Sequence, residues 1–128
     1  MLKEEIKRLR EKFLVCGPLM LTLSDEMRQR ILLILAEAGM EGMNVADITA
    51  KTQLSRPAIS HHLKILKDTG MITSHKKGTQ VYYFICIRST LDRLKDLFVS
   101  IEKLVEGIDM EAVKERAPWM LGQTADEE

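Results

Sequence analysis

The chain has 128 residues, of which 45% are hydrophobic and 30% are charged, and its formal net charge is zero. This length favours a single domain, and this composition is that of an ordinary globular protein. A neutral chain has no overall attraction to nucleic acids or membranes, so any such affinity must come from an uneven distribution of charge.

The amino-terminal sequence MLKEEIKRLREKF is charged and has no apolar signal region. The longest apolar stretches, FLVCGPLML and ILLILA, are too short to span a bilayer. We therefore expect a cytoplasmic protein with no membrane partner. The two cysteines, Cys16 and Cys86, do not make a disulfide framework.

The first two predicted elements are helices. Leu2, Ile6, Leu9 and Phe13 recur at helical spacing, which predicts an amphipathic helix from residue 2 to about residue 15. We expect the Gly17-Pro18 pair to end this helix. The second helix, EMRQRILLILAEA, has Ser24 or Asp25 as its cap and Gly39 at its end.

Two short helices come next. Asn44 is the predicted cap of VADITAKT, and Asp47 stands at the third position of a capping box. Ser55 is the predicted cap of the fourth helix, which has Pro57 in its first turn and ends at Gly70. Two short helices joined by a tight turn form a helix-turn-helix.

A β-hairpin is predicted after the fourth helix, because MITSH and QVYYFICI are separated by the glycine-containing tip KKGT. A long helix, TLDRLKDLFVSIEKLVEG, follows with Ser89 as its predicted cap and Asp92 completing a capping box. MEAVKERAPWML adds a short last helix. The predicted fold is mainly α with a small β-hairpin wing (α+β), a winged helix-turn-helix. We divide this single domain into a first helix (1–16), a DNA-binding core (24–87), a long helix (89–107) and an extension (108–128).

The fourth helix contains two adjacent histidines. Ile59, Leu63 and Leu66 lie on the predicted buried face, and His61 projects outward. His62 flanks the apolar stripe, where we expect a structural role. Neighbouring helical residues point about 100° apart, so the two imidazoles are not expected to share a metal ion.

Charge is concentrated around this helix. Residues 51–80 contain six basic residues and one acid, a net charge of +5, so the rest of the neutral chain carries −5. Because this excess coincides with a helix-turn-helix and a wing, it predicts a DNA-binding surface. The fourth helix would read base edges in the major groove, and lysines would neutralise phosphates. The predicted DNA-binding residues are Arg56, Ser60, His61, Lys64, Lys76, Lys77, Gly78 and Thr79.

Three segments resemble the ArsR/SmtB family of winged-helix repressors. These are LSDEMRQRIL (23–32), LSRPAISHHLKILKDTGMI (54–72) and KKGTQVYYFI (76–85), and their order and spacing are similar too. The resemblance covers residues 23–87, about half of the chain.

The resemblance implies a homodimer that binds an inverted-repeat operator in double-stranded DNA, upstream of its own operon, and that is released by an effector. It also implies dimerisation through the first and last long helices. Their apolar stripes are larger than a small winged helix needs for its own core. The predicted dimer-interface residues are Leu2, Ile6, Leu9, Phe13, Leu94, Phe98, Ile101 and Leu104.

The chain departs from the family at both of its metal sites. Where many members have Cys-Val-Cys-Asp-Leu in the third helix, this sequence reads NVADI, with Asn44 and Ala46 in place of the cysteines. The last long helix has no histidine, although the second family site uses Asp and His pairs there. We therefore expect neither metal site nor any other cofactor, and the effector is not identified by the sequence.

Two alternatives stay open. Cys16 and Cys86 could make the protein a thiol-redox-responsive regulator, although the more ordinary interpretation is that each is a small buried hydrophobe. A winged helix can also be a protein–protein interaction module without DNA binding. An enzyme is not expected, because the sequence has no glycine-rich phosphate loop, no Cys-x-x-Cys pair and no evident nucleophile–base pair.

Overall fold

A computed structural model of the protein describes residues 2–122, and the acidic end, residues 123–128 of the predicted extension, lies outside the described residues. The described chain is mainly helical with one two-stranded antiparallel hairpin, which confirms the predicted fold class. The elements are α1 (Leu2–Ser24), α2 (Glu26–Ala38), α3 (Val45–Thr52), α4 (Arg56–Asp68), β1 (Ile72–Lys77), β2 (Gln80–Ile85), α5 (Arg88–Glu106) and α6 (Met110–Arg116), with 3₁₀ turns at Gly39–Glu41 and Pro118–Leu121.

The core lies where α2, α3 and α4 meet α5 and the start of the hairpin. It is built from aliphatic side chains and one methionine, because the sequence has few aromatic residues. α1 joins this core by packing along α5 with Cys16 and Leu19 facing inward. The fully buried large residues are Ile31, Leu35, Ile48, Ile59, Leu63, Leu66, Met71 and Leu97.

The predicted caps of the three central helices are confirmed. A carboxylate oxygen of Asp25 accepts from the backbone N–H of Arg28 at 2.9 Å. The side-chain oxygen of Asn44 accepts from the N–H of Asp47 at 2.9 Å. Such caps satisfy N–H groups that have no partner within the helix. The starting points of these helices are therefore fixed by interactions that are local in sequence.

The prediction that Gly17-Pro18 ends the first helix, and with it the bound of the 1–16 segment, is wrong. α1 continues to Ser24, and the Thr22 hydroxyl donates to the carbonyl of Pro18 at 2.8 Å. Cys16 and Leu19 are buried on either side of the proline, so continuing the helix keeps both side chains in the core. This burial offsets the roughly 3 kcal/mol cost of an interior proline. Neither α1 nor any other described helix is both long and apolar enough to cross a membrane.

The predicted cap at Ser89 is also wrong. α5 begins at Arg88, Ile87 occupies the cap position, and no side chain caps the helix. The buried hydroxyl of Thr90 instead donates to the carbonyl of Thr69 at 3.3 Å, at the end of α4. A tertiary contact thus fixes the start of α5, which a local sequence pattern does not reveal.

The wing is a hairpin with Gly78 and Thr79 at its tip. Its register pairs Ile72 with Ile85 and Lys77 with Gln80. Met43 pairs with Tyr83 through two backbone hydrogen bonds of 3.0 and 2.8 Å, which attaches β2 to the chain before α3. The hairpin is therefore held at its base and projects its lysine-rich tip away from the core.

Candidate nucleic-acid interface

α4 is amphipathic, and the division between its two faces agrees with the sequence pattern. The Ser55 hydroxyl caps it by accepting from the N–H of Ala58 at 3.3 Å, and Pro57 lies in the first turn. Three aliphatic side chains on one face are buried in the core. The predicted DNA-binding residues of α4 are exposed on the other side: Arg56, Ser60, His61 and Lys64.

The two adjacent histidines occupy different environments. His61 is exposed, whereas the side chain of His62 is largely covered by α2. The Arg28 guanidinium lies 3.4 Å from Nδ1 of His62, where it can donate to a neutral imidazole. Burial lowers the pKa of His62, and the Asp25 carboxylate at 3.9 Å only partly opposes this effect. His62 thus links α4 to the start of α2.

Lys64 and Lys67 have partners that the sequence did not identify. Lys64 forms an i,i+4 ion pair with Asp68 at 2.8 Å, and this pairing raises the pKa of Lys64. Lys67 donates to the hydroxyl of Ser74 at 2.8 Å, so it connects α4 to β1. The i,i+4 spacing was available as a signal for the first pair, whereas the second contact depends on how the hairpin folds back.

At the wing tip, all four predicted residues, Lys76 to Thr79, are exposed. The ammonium of Lys77 lies 5.0 Å from the ring centroid of Tyr82 and 5.5 Å from that of Phe84, which is within cation–π range. The backbone of Lys76 pairs with Val81 in the hairpin, but among the described residues its side-chain ammonium has no ion-pair or hydrogen-bond partner. Lys76 is therefore the freer of the two cations.

The positions of the family's cysteine ligands have another role here. Asn44 uses its side chain to cap α3, and Ala46 is exposed in the first turn of that helix. Within residues 2–122, no cluster of three or more His, Cys, Asp or Glu side chains is arranged to hold a metal ion.

The two cysteines lie in different parts of the fold, and both are free thiols. Cys16 is 1% exposed, and its thiol donates to the carbonyl of Arg93 on α5 at 3.4 Å. Cys86 is exposed after β2, but partial burial of its thiol raises its pKa. Cys16 is shielded from solvent oxidants, and at Cys86 the raised pKa disfavours the thiolate, which is the reactive form, so neither environment favours oxidation. The redox role stays a prediction.

A second surface lies along α1 and α5, remote in sequence from α4. Leu2, Ile6, Phe13 and Phe98 are 62%, 39%, 45% and 55% exposed. Leu9, Ile101 and Leu104 are partly buried beside them. Leu94, the remaining predicted interface residue, is buried in the chain's own core instead of being exposed like its neighbours. Exposed apolar side chains gathered on two packed helices are typical of a protein interface.

Comparison with known proteins agrees with this geometry. A family model for bacterial regulatory proteins of the arsR family matches residues 25–74, which include α2, α3, α4 and the start of β1. An HTH-type transcriptional regulator of Methanocaldococcus jannaschii, itself uncharacterized, is 34% identical over 94 residues, spanning 73% of this chain and 99% of that relative. The chain belongs to the ArsR family. It is a DNA-binding transcriptional regulator.

Other relatives of this ArsR-family regulator are repressors. The transcriptional repressor SdpR of Bacillus subtilis is 41% identical over 61 residues, which span 48% of this chain and 64% of that protein. The arsenical resistance operon repressor of Escherichia coli is 37% identical over 71 residues, which span 56% of this chain and 59% of that protein. The chain thus covers less than two thirds of either repressor.

Solved structures show the same fold. An ArsR-like transcriptional regulator from Rhodococcus sp. RHA1 superposes with a TM-score of 0.65 at 24% identity, covering 82% of this chain and 94% of that one. The transcriptional regulator HlyU from Vibrio vulnificus gives a TM-score of 0.55 at 28% identity, covering 77% and 99%.

Proposed function

We propose that this regulator is a repressor of its own operon, that it binds an inverted-repeat operator as a homodimer, and that an effector releases it. The observation that carries this proposal is the division of α4. Its aliphatic face is buried, while Arg56, Ser60 and His61 are exposed together beside a basic wing. An α-helix held in this way fits the major groove of B-DNA.

In the proposed complex, the first turns of α4 read bases. The Arg56 guanidinium suits the two acceptors of guanine, and the Ser60 hydroxyl and His61 imidazole each donate or accept one hydrogen bond. Because the Ser55 cap and the Lys67–Ser74 contact hold both ends of α4, these side chains approach the groove from a fixed base.

Lysines contact the phosphates in this proposal. Lys76 and Lys77 lie at the wing tip, where Gly78 and Thr79 allow the backbone to approach DNA closely. Lys64 exchanges its Asp68 partner for a phosphate on binding, so its contribution to affinity is smaller than that of the free Lys76.

Dimerisation places two copies of α4 on one face of the duplex. The exposed apolar side chains of α1 and α5 supply the proposed interface, and recognition helices of the two halves lie about one DNA turn, roughly 34 Å, apart. The protein acts through binding rather than catalysis, in the cytoplasm where its operator is accessible.

The alternative of a protein-interaction module without DNA binding has less support. The predicted recognition surface carries an excess of positive charge that a protein-binding winged helix does not need. Family membership adds to this argument, because the matched region contains the helix-turn-helix itself.

The proposal is tested by fluorescence-anisotropy titration of the reduced protein against its own upstream DNA and a scrambled duplex. We expect the upstream DNA to bind more tightly, and His61→Ala or Ser60→Ala to reduce that preference by roughly 1–3 kcal/mol for each base contact that the substitution removes. The exposed Lys95→Ala on α5 is the control and should leave the preference unchanged. An equal decrease in affinity for both DNAs in the α4 variants would contradict base reading.

A further inference from the structure

The last described segment of the chain, residues 108–122, has more exposed apolar surface than its size explains. We call this segment the C-terminal arm. Its single tryptophan, Trp119, is 79% exposed, and Ile108, Met110, Met120 and Leu121 are all exposed as well. Five exposed large apolar residues in so short a segment indicate an interaction surface.

Within residues 2–122, the arm is supported mainly by itself. Asp109 caps α6 by accepting from the N–H groups of Glu111 and Ala112, and the remaining hydrogen bonds of residues 109–122 also stay inside the segment. α6 packs principally on the 3₁₀ turn that follows it rather than on the core. The arm is thus a folded element that does not pack extensively against the rest of its own domain.

An equally unexplained apolar patch lies on the outer side of α1. Leu14 and Leu21, 74% and 70% exposed, are two helical turns apart and therefore on one side of the helix. Gly17 lies between them, and a Cβ built there would meet no atom within 4 Å. The Leu14–Leu21 patch is therefore an exposed apolar surface, with open space at Gly17 in which a flat side chain could pack.

The order of contacts along α1 and α5 shows where this patch would lie in a two-fold dimer. Lys12 of α1 contacts Ser100 of α5, and Cys16 contacts Arg93, so the two helices run antiparallel. If the two-fold axis of the proposed dimer crosses α5 at right angles near the exposed Phe98, the two α5 helices are antiparallel as well. The carboxyl end of one α5 then lies beside the amino end of the partner's α5. Within the partner, that amino end of α5 packs next to the carboxyl-terminal half of α1.

The distances along the helices agree with this placement. Gly107 is nine residues beyond Phe98, about 13 Å along the helix axis, which is the level of residue 89 in the antiparallel partner. Because Cys16 contacts Arg93, four residues after Ser89, the α1 residue at that level is about four positions beyond Cys16. The arm therefore leaves α5 at the level of Leu21 of the partner subunit.

From these observations we infer that the C-terminal arm crosses to the partner subunit and packs Trp119 over its Leu14–Leu21 patch. This inference rests on the proposed dimer and names an additional part of its interface. DNA is not the occupant that the arm fits, because residues 108–122 contain three acids and two bases, a net charge of −1. In the proposed dimer, the exposed Leu14–Leu21 patch of the second subunit lies at the level at which the arm leaves α5.

Trp119 is the only tryptophan in the chain, so its fluorescence reports on the arm alone. The full-length protein is diluted through its dimer–monomer transition, which sedimentation velocity follows independently. We expect Trp119 to be protected from acrylamide quenching in the dimer and exposed in the monomer. Leu21→Glu should expose Trp119 and weaken dimerisation by about tenfold, the effect of removing one well-packed interface side chain. Leu33→Glu on α2 is the matched control, because Leu33 is also 70% exposed.

A mixing experiment separates contact with the partner from contact within one chain. Leu21→Glu protein, which keeps Trp119, is mixed with excess Trp119→Phe protein, which keeps Leu21. Renewed protection of Trp119 is expected, because its arm then meets an intact patch on the other subunit. Protection that persists in the diluted monomer, or no protection in a proven dimer, would overturn the inference while leaving the dimer intact. A chain that stays monomeric throughout would overturn both the inference and the proposed dimer.

Discussion

His61 and His62 show how one residue type acquires two roles within a single turn of helix. The sequence pattern separated them, since one faces away from the apolar stripe and the other flanks it. The structure supplies the partners: His62 lies against Arg28 of α2 and the capping residue Asp25, while His61 remains exposed. The difference between the two imidazoles is therefore a difference in burial.

Because His62 is partly buried, we expect the free energy of unfolding to fall in mild acid. Its folded-state pKa is held below the ordinary value of 6.5, chiefly by burial. Its contribution to stability is present above that value and disappears as the pH falls through the folded-state pKa, because the buried imidazole must then become charged. We expect urea unfolding at about pH 7.5 and about pH 5 to show a smaller pH dependence in His62→Gln than in the wild type. A matching change in exposed His61→Gln would contradict this assignment.

We expect the contribution of Lys76 to DNA affinity to be independent of the DNA sequence. Lys76→Ala should weaken binding to operator and scrambled DNA alike, since a phosphate contact carries no sequence information. The slope of log K against log salt should fall by about 0.9 for each phosphate that the variant no longer neutralises. Anisotropy titrations at several salt concentrations measure this slope, with Lys95→Ala as the control. An unchanged slope would remove the wing tip from the set of phosphate-binding groups.

Among the helices and strands, the attachment of β2 to the chain before α3 determines where the wing points. Gly42 lies at this junction with φ +66° and ψ −173°, a conformation that is nearly restricted to glycine. A Cβ there would lie 2.6 Å from the Phe84 ring and 2.8 Å from the carbonyl oxygen of Tyr83. Both the backbone conformation and the close packing therefore require glycine at position 42.

Two glycine substitutions separate these effects. Gly42→Ala should lower the free energy of unfolding by roughly 2–4 kcal/mol, because strain and overlap add. Gly78→Ala at the wing tip also has a positive φ, +63°, but open space around it, so about 1 kcal/mol is expected. Chemical denaturation of both variants measures the difference. Equal decreases in stability would mean that the contact with Phe84 relaxes without cost.

At the level of the whole molecule, two surfaces face different partners. In the proposed complex, the basic surface of α4 and the wing faces DNA, and the apolar surface of α1 and α5 faces a second subunit. An inverted-repeat operator has two-fold symmetry, so DNA recognition depends on the dimer as well as on α4.

Phe98 tests this dependence. Phe98→Glu should weaken dimerisation by at least about 30-fold, or roughly 2 kcal/mol, because it places a charge in the middle of an apolar interface. Operator affinity at low protein concentration should fall with it. Sedimentation velocity and anisotropy measure the two effects, and Met40→Glu is the control, since Met40 is 95% exposed on a 3₁₀ turn. A dimer that survives Phe98→Glu unchanged would show that its interface lies elsewhere.

The sequence by itself determined the elements whose causes are local. Caps at Asn44 and Ser55, the amphipathic stripe of α4 and the glycine-containing hairpin each depend on residues only a few positions apart, so their patterns were sufficient. The exposed set Arg56, Ser60 and His61 followed from the same periodicity.

Only the tertiary structure decided the features that depend on residues distant in sequence. The α1 helix continues through Pro18 because Cys16 and Leu19, on either side of it, are buried in the core. The α5 helix starts without a side-chain cap, and the Thr90 hydroxyl instead bonds to the end of α4. Leu94 belongs to the core for the same reason. Helical spacing shows which side chains share a face, but burial depends on what packs against that face. For α1 and α5 this is another helix, and the contacts between them join residues 77 to 88 positions apart in the chain.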